Sequence, residues 1–221
     1  ATLTFVFSRP FGEQHMPVNI IARIFAVLAI CLGVPGGAWA ETLNGQQATA
    51  EAKSAAIHLG KVDTLTADFD MVTPGGINTG KIFIDRQREA IRVQFAPPMG
   101  HLVLVNGPLT QFFGGDGTRI QTATSGTPFA FLMNPEQALK NNVEILQVQK
   151  QKENLMVALA ERGKKAAGQI ILQFRGNSDW RLVEWGMFDK NGGFSQTKLK
   201  NVRTNASLDG NLFRAPEQDR S

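Results

Sequence analysis

The chain has 221 residues, 19% of them charged and 43% hydrophobic, a balance that excludes a disordered chain and a coiled coil. Its 22 Gly and 10 Pro are scattered rather than periodic, which excludes collagen-like and Pro-rich linker classes. A single Cys excludes an internal disulfide and a cysteine-built zinc site, and a formal charge of +4 spread along the chain leaves no nucleic-acid footprint.

Residues 1–40 differ from the rest. Arg9, Glu13 and Arg23 are their only Lys, Arg, Asp or Glu residues. The apolar run Ile24–Gly33 is about ten residues long, half of the ~20 that a spanning helix needs. It is followed by Val34-Pro-Gly-Gly-Ala-Trp-Ala40, which ends in an A-x-A cleavage pattern. A basic start, a short apolar core and a small-residue exit predict a secretory signal peptide over 16–40, starting at Met16 and cut after Ala40. Residues 1–15 are then an upstream segment outside the native protein, and 41–221 is the exported domain. The competing readings are a short membrane anchor, an organelle transit peptide, and a lipoprotein signal acylated at Cys31. The bulky Ile30 before that Cys argues against the last. Cys31 leaves with the signal, so the domain must be held by its core alone.

Ala48, Ala52, Ala55, Leu59 and Val62 recur at helical spacing and predict an amphipathic helix over 46–62. The period then changes to two. Leu65, Ala67, Phe69 and Met71 alternate with Thr66, Asp68 and Asp70, as in a half-buried strand. Pro74-Gly75-Gly76 is a turn, and strands are expected at 81–85 and 90–95. In the second, Ile91, Val93 and Phe95 share one face, and Arg92 and Gln94 the other. Pro97-Pro98 breaks the run. Leu102–Val105 is continuously apolar, Asn106-Gly107 is a hairpin signal, and strands at 111–113 and 119–122 flank the turn Gly114–Gly117.

Thr127 suits an N-cap and Pro128 the first position of a short helix that carries Phe129, Leu132 and Met133 on one side. Pro135 ends it and starts another through Leu139. Five further strands are expected at 143–149, 154–160, 168–174, 181–188 and 194–202. Their turn-separated spacing argues a meander, sandwich or open barrel, and the lack of βαβ alternation argues against a parallel sheet.

Catalytic chemistry is sparse. His58 and His101 lie in no metal-ligand spacing, there is no G-x-S-x-G elbow, and Asp68 and Asp70 fall on the polar face of a strand. Gly114–Gly117 lacks the Lys-Ser/Thr of a phosphate loop. Lys150, Lys152, Arg162, Lys164 and Lys165 sit near predicted hairpin turns and read as solvated charge, with docking to an acidic partner as the second reading. No metal, cofactor or enzymatic activity is expected. Arg86 is the awkward residue. It continues the parity of Ile82 and Ile84, so a persisting strand would drive its guanidinium into the apolar face, where carbonyl groups at a helix end would serve its five donors. If the strand stops at Asp85, Arg86 is simply exposed.

The order of features resembles the LolA family of periplasmic outer-membrane lipoprotein carriers over 44–216. A first helix leads into the L-x-A-x-F strand Leu65-Thr-Ala-Asp-Phe69. Gly80-Lys-Ile-Phe-Ile-Asp-Arg86 follows, then Arg92-Val-Gln-Phe-Ala-Pro97, the apolar strand Leu102–Gly107, and the lid segment Thr127-Pro-Phe to Leu132. The tail Leu208-Asp-Gly-Asn-Leu-Phe-Arg-Ala-Pro216 is typical. Gln87 stands where the family usually has Pro, and Phe95 where Tyr is common.

The resemblance implies a mainly β, α+β fold. A single strongly curved antiparallel sheet forms an unclosed β-barrel, with an N-terminal helix and short lid helices over its concave apolar face. It implies a periplasmic monomer that binds the acyl chains of triacylated lipoproteins and carries them from a LolCDE-type inner-membrane ABC transporter to a LolB-type outer-membrane receptor. The expected acyl-chain cavity comprises Phe69, Ile82, Ile84, Ile91, Val93, Phe95, Leu102, Leu104, Leu172, Phe174 and Trp185, with Ile91 also matching a partner-contacting position near the mouth. Phe129, Leu132 and Met133 are the lid, and Arg86 matches the Arg that hydrogen-bonds the lid and keeps the empty cavity closed. The alternatives are a LolA-like binding protein for another lipid or a lipoprotein-sensing regulator, a periplasmic hydrolase, and an interaction domain whose apolar positions are packed core.

Overall fold

The computed structural model describes residues 41–165, 168–189 and 191–216. The expected signal peptide, its cut site and the upstream segment fall outside the described residues, apart from the first position after the cut.

Strand β1 (Glu41–Leu43) comes first, then helix α1 (Gly45–Gly60). An antiparallel run follows: β2 (Thr64–Thr73), β3 (Gly76–Asp85), β4 (Ala90–Phe95), β5 (Leu102–Asn106), β6 (Leu109–Phe113) and β7 (Arg119–Ala123). Helices α2 (Phe129–Met133) and α3 (Pro135–Asn141) lead into a second run: β8 (Val143–Gln151), β9 (Asn154–Glu161), β10 (Gly168–Arg175), β11 (Arg181–Asp189) and β12 (Phe194–Thr204). All twelve strands form one sheet in the order β1-β8-β9-β10-β11-β12-β2-β3-β4-β5-β6-β7. Every neighbouring pair is antiparallel. β1 and β7 are its two unpaired edges. The fold is therefore the expected unclosed barrel with an N-terminal helix.

Period-two alternation sends one set of side chains from each strand to a common inner face. Leu65, Ala67 and Phe69 of β2 meet Ile82 and Ile84 of β3, Ile91 and Val93 of β4, and the inner residues of β9 to β12 in one buried cluster. The helices close the cluster from above. α1 contributes Ala48, Ala52, Ala55 and Leu59. Small side chains let its backbone approach the sheet closely, which a row of Leu would prevent. Phe131 and Leu132 of α2 and Ala138 of α3 complete the layer.

Several expectations need correction. Leu102 and Leu104 are buried, at 7% and 0% exposure, but they do not face the inner cluster. In the β4–β5 register Val103 pairs with Val93 and Val105 with Ile91, so Leu102 and Leu104 share the outer face with Gln94 and Arg92. That face is covered by a 3-10 turn at Gly210–Phe213, whose Leu212 carbonyl accepts from Arg92 Nη1 at 2.9 Å. Thr127 does not cap α2. Its hydroxyl donates to the Thr124 carbonyl at 2.8 Å, and Pro128 occupies the cap position. The real side-chain cap is Asn134, which accepts from Gln137 N at the start of α3. α1 stops at Gly60, leaving Val62 beyond its end.

Candidate functional site

Arg86 follows β3 immediately. The strand ends at Asp85, and a turn over 86–89 carries the chain into β4. The stop at Asp85 is the expectation that pointed to an exposed Arg86, yet the side chain is not free. Asp85, only 1% exposed, accepts from Arg88 N at 3.1 Å and from the Arg88 guanidinium, which fixes the turn. Arg86 N in turn donates to Asp63 O at 2.9 Å. The guanidinium is thereby aimed between two helical segments. Nη1 donates to the Val62 carbonyl just past α1, and Nη2 donates to the Leu132 carbonyl of α2 at 2.9 Å.

These acceptors suit the donor. Leu132 O is among the last carbonyls of α2, which have no partner within the helix and carry partial negative charge, and Val62 O lies in the chain just past α1. The planar fork of Arg spans both carbonyls at once, which the single ammonium of Lys does less well. Burial lowers the pKa of the guanidinium to about 10, opposed by the nearby Asp63 carboxylate. Its buried Nε finds no hydrogen-bond partner among the described residues. A cation held at this cost stays in place only while both carbonyls are presented to it.

The inner apolar face lies beside this clasp. Phe69, Ile82, Ile84, Ile91, Val93, Leu172, Phe174 and Trp185 all belong to the inner cluster, and Phe95 packs against it half-buried. Phe95 meets Phe69 edge-on at 5.2 Å between centroids, and His101 stands beyond it at 6.3 Å. Of the expected lid residues, Leu132 is buried at 2% exposure, while Phe129 and Met133 pack half-buried against the cluster. In this state the helices occupy the space over the apolar face.

Sequence reasoning missed Val103, Val105, Phe131, Trp180 and Leu182 of this face. It also misjudged Lys150. That residue lies within β8 on the parity of buried Val148, and its ammonium pairs with Glu51 of α1 at 2.5 Å. The other basic residues of the hairpins fit solvated charge: Lys164 pairs with Glu161 at 2.8 Å and Lys165 with Glu144 at 3.4 Å, all in turns or strand ends. Asp68 and Asp70 pair with Lys81 and Lys200 on the outer face of β2. His58 Nδ1 lies 2.8 Å from the Ser54 carbonyl of its own helix. No cluster of metal-ligating side chains occurs among the described residues.

The family profile described as outer membrane lipoprotein carrier protein LolA matches residues 60–216. No curated protein matches the sequence. Similar solved structures include an uncharacterized conserved protein from Thermus thermophilus, at 12% identity and a TM-score of 0.48 over 76% of this chain and 95% of that one. A chain of the Pseudomonas aeruginosa MucA/MucB complex is similar at 14% identity and 0.48, over 77% of this chain and 61% of that one. The Mycobacterium tuberculosis lipoprotein LppX is similar at 11% identity and 0.44, over 75% and 99%.

Proposed function

The chain belongs to the LolA family, a family of lipoprotein carriers, and from that premise we propose that it is a periplasmic carrier that binds the acyl chains of lipoproteins between its inner apolar face and its helices. It takes triacylated cargo from a LolCDE-type transporter in the inner membrane and delivers it to a LolB-type receptor at the outer membrane. The protein binds and does not catalyse. His58 Nδ1 is engaged with the Ser54 carbonyl of its own helix, and His101 packs edge-on to Phe95.

The observation that carries this reading is the double donation of Arg86 to the carbonyls of Val62 and Leu132. A carrier that works without an energy source at the point of release needs an empty state able to compete with the loaded one. Acyl chains bind strongly, at roughly 0.8 kcal/mol per buried CH₂. Helices that fill the same face with Phe131 and Leu132, clasped by Arg86, supply that competitor. Loading breaks the clasp, and reforming it helps to expel the cargo.

The test is native mass spectrometry of the protein purified from the periplasm of lipoprotein-producing cells, together with a two-component transfer assay. The wild type is expected as a one-to-one complex with a triacylated lipoprotein. Arg86→Leu is expected to load normally and to hand off poorly. A wild type that carries only phospholipid or glycolipid would replace the cargo assignment, and efficient transfer by Arg86→Leu would overturn the clasp.

A further inference from the structure

Lys150 is the one ammonium that β8 turns toward the apolar layer, on the parity of Val148. Its cross-strand partner Leu155 is 1% exposed, and the same row continues through Phe174 to Leu182. Glu41, opposite it on β1, stays exposed. The Lys150 ammonium lies 5.3 Å from the ring centroid of Trp180, a residue 2% exposed. Its carboxylate partner is Glu51. The two side chains are 33% and 26% exposed, so the anion offsets a partial loss of hydration of the ammonium rather than a full one. Here the cation belongs to β8 and the ring to the residue just before β11, while the anion belongs to α1.

We propose that Lys150, backed by Trp180, receives the phosphate headgroup of an acyl lipid, in a seat that Glu51 fills while the helices cover the apolar face. This rests on the carrier reading above and adds phospholipid to its cargo, since the diacylglyceryl anchor of a lipoprotein has no phosphate. Acyl chains that enter beneath α1, beside β8, displace it from that strand, which removes Glu51 and leaves the ammonium over the indole. A phosphate diester at the head of the incoming lipid restores the lost negative charge, and the indole face continues to support the ammonium. The exchange is anion for anion. That separates Lys150 from Arg86, whose terminal nitrogens hold neutral carbonyls. The register also suits a lipid. β8 ends and β9 starts at this point, so chains anchored at Lys150 run along the inner face past Leu155, Val157 and Leu159.

The purified full-length protein is offered phosphatidylglycerol and diacylglycerol of equal chain length in competition, and occupancy is read by native mass spectrometry. The wild type is expected to favour phosphatidylglycerol about tenfold, the worth of one charge-assisted contact. Lys150→Met is expected to abolish the preference while still taking diacylglycerol, which shows that the variant is folded. Lys150→Arg is expected to retain it, and Glu51→Gln to strengthen it. Equal uptake of the two lipids by the wild type, or an unchanged preference in Lys150→Met, overturns this site and leaves the carrier reading intact. Failure to take up either lipid overturns this site, and the carrier reading falls with it only if a triacylated lipopeptide is refused as well. Inorganic phosphate is expected not to compete; if it removes the preference at lipid-like concentrations, the site serves a free anion and the headgroup assignment falls.

Discussion

Gly80 and Phe69 are register partners across β3 and β2, and the Phe69 ring lies where a side chain on residue 80 would stand. The glycine is needed here for space, not for backbone freedom. A Cβ at residue 80 would collide with the Phe69 ring and with the Gln94 carbonyl. Gly80→Ala is expected to lower stability by about 1–3 kcal/mol, the usual cost of overpacking, read as a fall in the urea midpoint. Phe69→Leu in the same chain should recover part of that loss, because the two residues share one space. Simple additivity would place the strain at the Gln94 carbonyl alone.

The two faces of β5 separate stability from binding. Leu104 is fully buried against the C-terminal turn, away from the inner face. Leu104→Ala should therefore cost about 2–5 kcal/mol and leave lipid uptake per folded molecule unchanged. Val103→Phe, on the inner face, should reduce uptake by filling the space that cargo needs. Reduced uptake in the folded Leu104→Ala protein would contradict this division.

Asp85 organises the turn that aims Arg86. Asp85→Ala removes the acceptor for Arg88 N and is expected to cost about 1–2 kcal/mol. Asp85→Asn, which keeps an oxygen for that N–H, should cost less. Arg88→Ala keeps the acceptor of the turn but leaves the Asp85 carboxylate, 2% exposed, without its cation, so it should cost at least as much as Asp85→Asn. If Arg88→Ala costs nothing in urea unfolding, the N–H contact of the turn rather than the ion pair is what matters.

Arg86 should give a clasp indifferent to ordinary pH. Its folded-state pKa is about 10, lowered by burial from the ordinary guanidinium value. The unfolded chain therefore binds the extra proton only above about 10, and only there would stability rise with pH on its account. The hand-off defect of Arg86→Leu is expected to be equal at pH 6 and pH 8 in the transfer assay. A defect that disappears at one of them would assign control to another group.

Asp68 has the opposite sign. The Asn201 amide above all, helped by the Lys81 and Lys200 charges, holds its carboxyl below the usual range against the opposing effect of desolvation. A carboxylate with a depressed folded pKa adds stability that is present above about pH 4 and is lost as pH falls through the folded value. Asp68→Asn should thus be slightly less stable than wild type at pH 7 and indistinguishable in strong acid. The paired measurements are urea midpoints and an NMR titration of the carboxyl.

Legibility in the sequence followed the number of faces a segment buries. β2 and β4 each have one buried and one solvated or lightly covered face, so Leu65, Ala67 and Phe69, and Ile91 and Val93, could be read directly from alternation. β5 buries four consecutive residues because the core covers one side and the turn with Phe213 the other. Such a run contains no parity signal, and Leu102 and Leu104 were assigned to the wrong face. Parity pointed to Arg86 while strand continuity did not: the strand stops, and the turn still delivers the side chain to the helices. Lys150 shares the parity of Val148, but nearness to a hairpin suggested solvent. Only the position of α1 over that strand brings Glu51 to it. Trp180 precedes β11 outside any periodic segment, and three-residue β1 is too short to show a pattern.

The chain between β7 and β8 has a mechanical consequence. β7 is one rim of the sheet, and β8 lies next to β1 at the other. The segment from Thr124 to Asn142, with α2 and α3 inside it, is thus a tether between the two sides of the gap. Coiled into helix it is short, at about 1.5 Å per residue, and extended it reaches more than twice as far. The gap can therefore widen greatly only if that segment unwinds or lifts, and the same segment presents the Leu132 carbonyl to Arg86. Width of opening and release of the Arg86 contact to Leu132 are then a single coordinate: whatever spreads the two rims stretches the connection that holds the fastening.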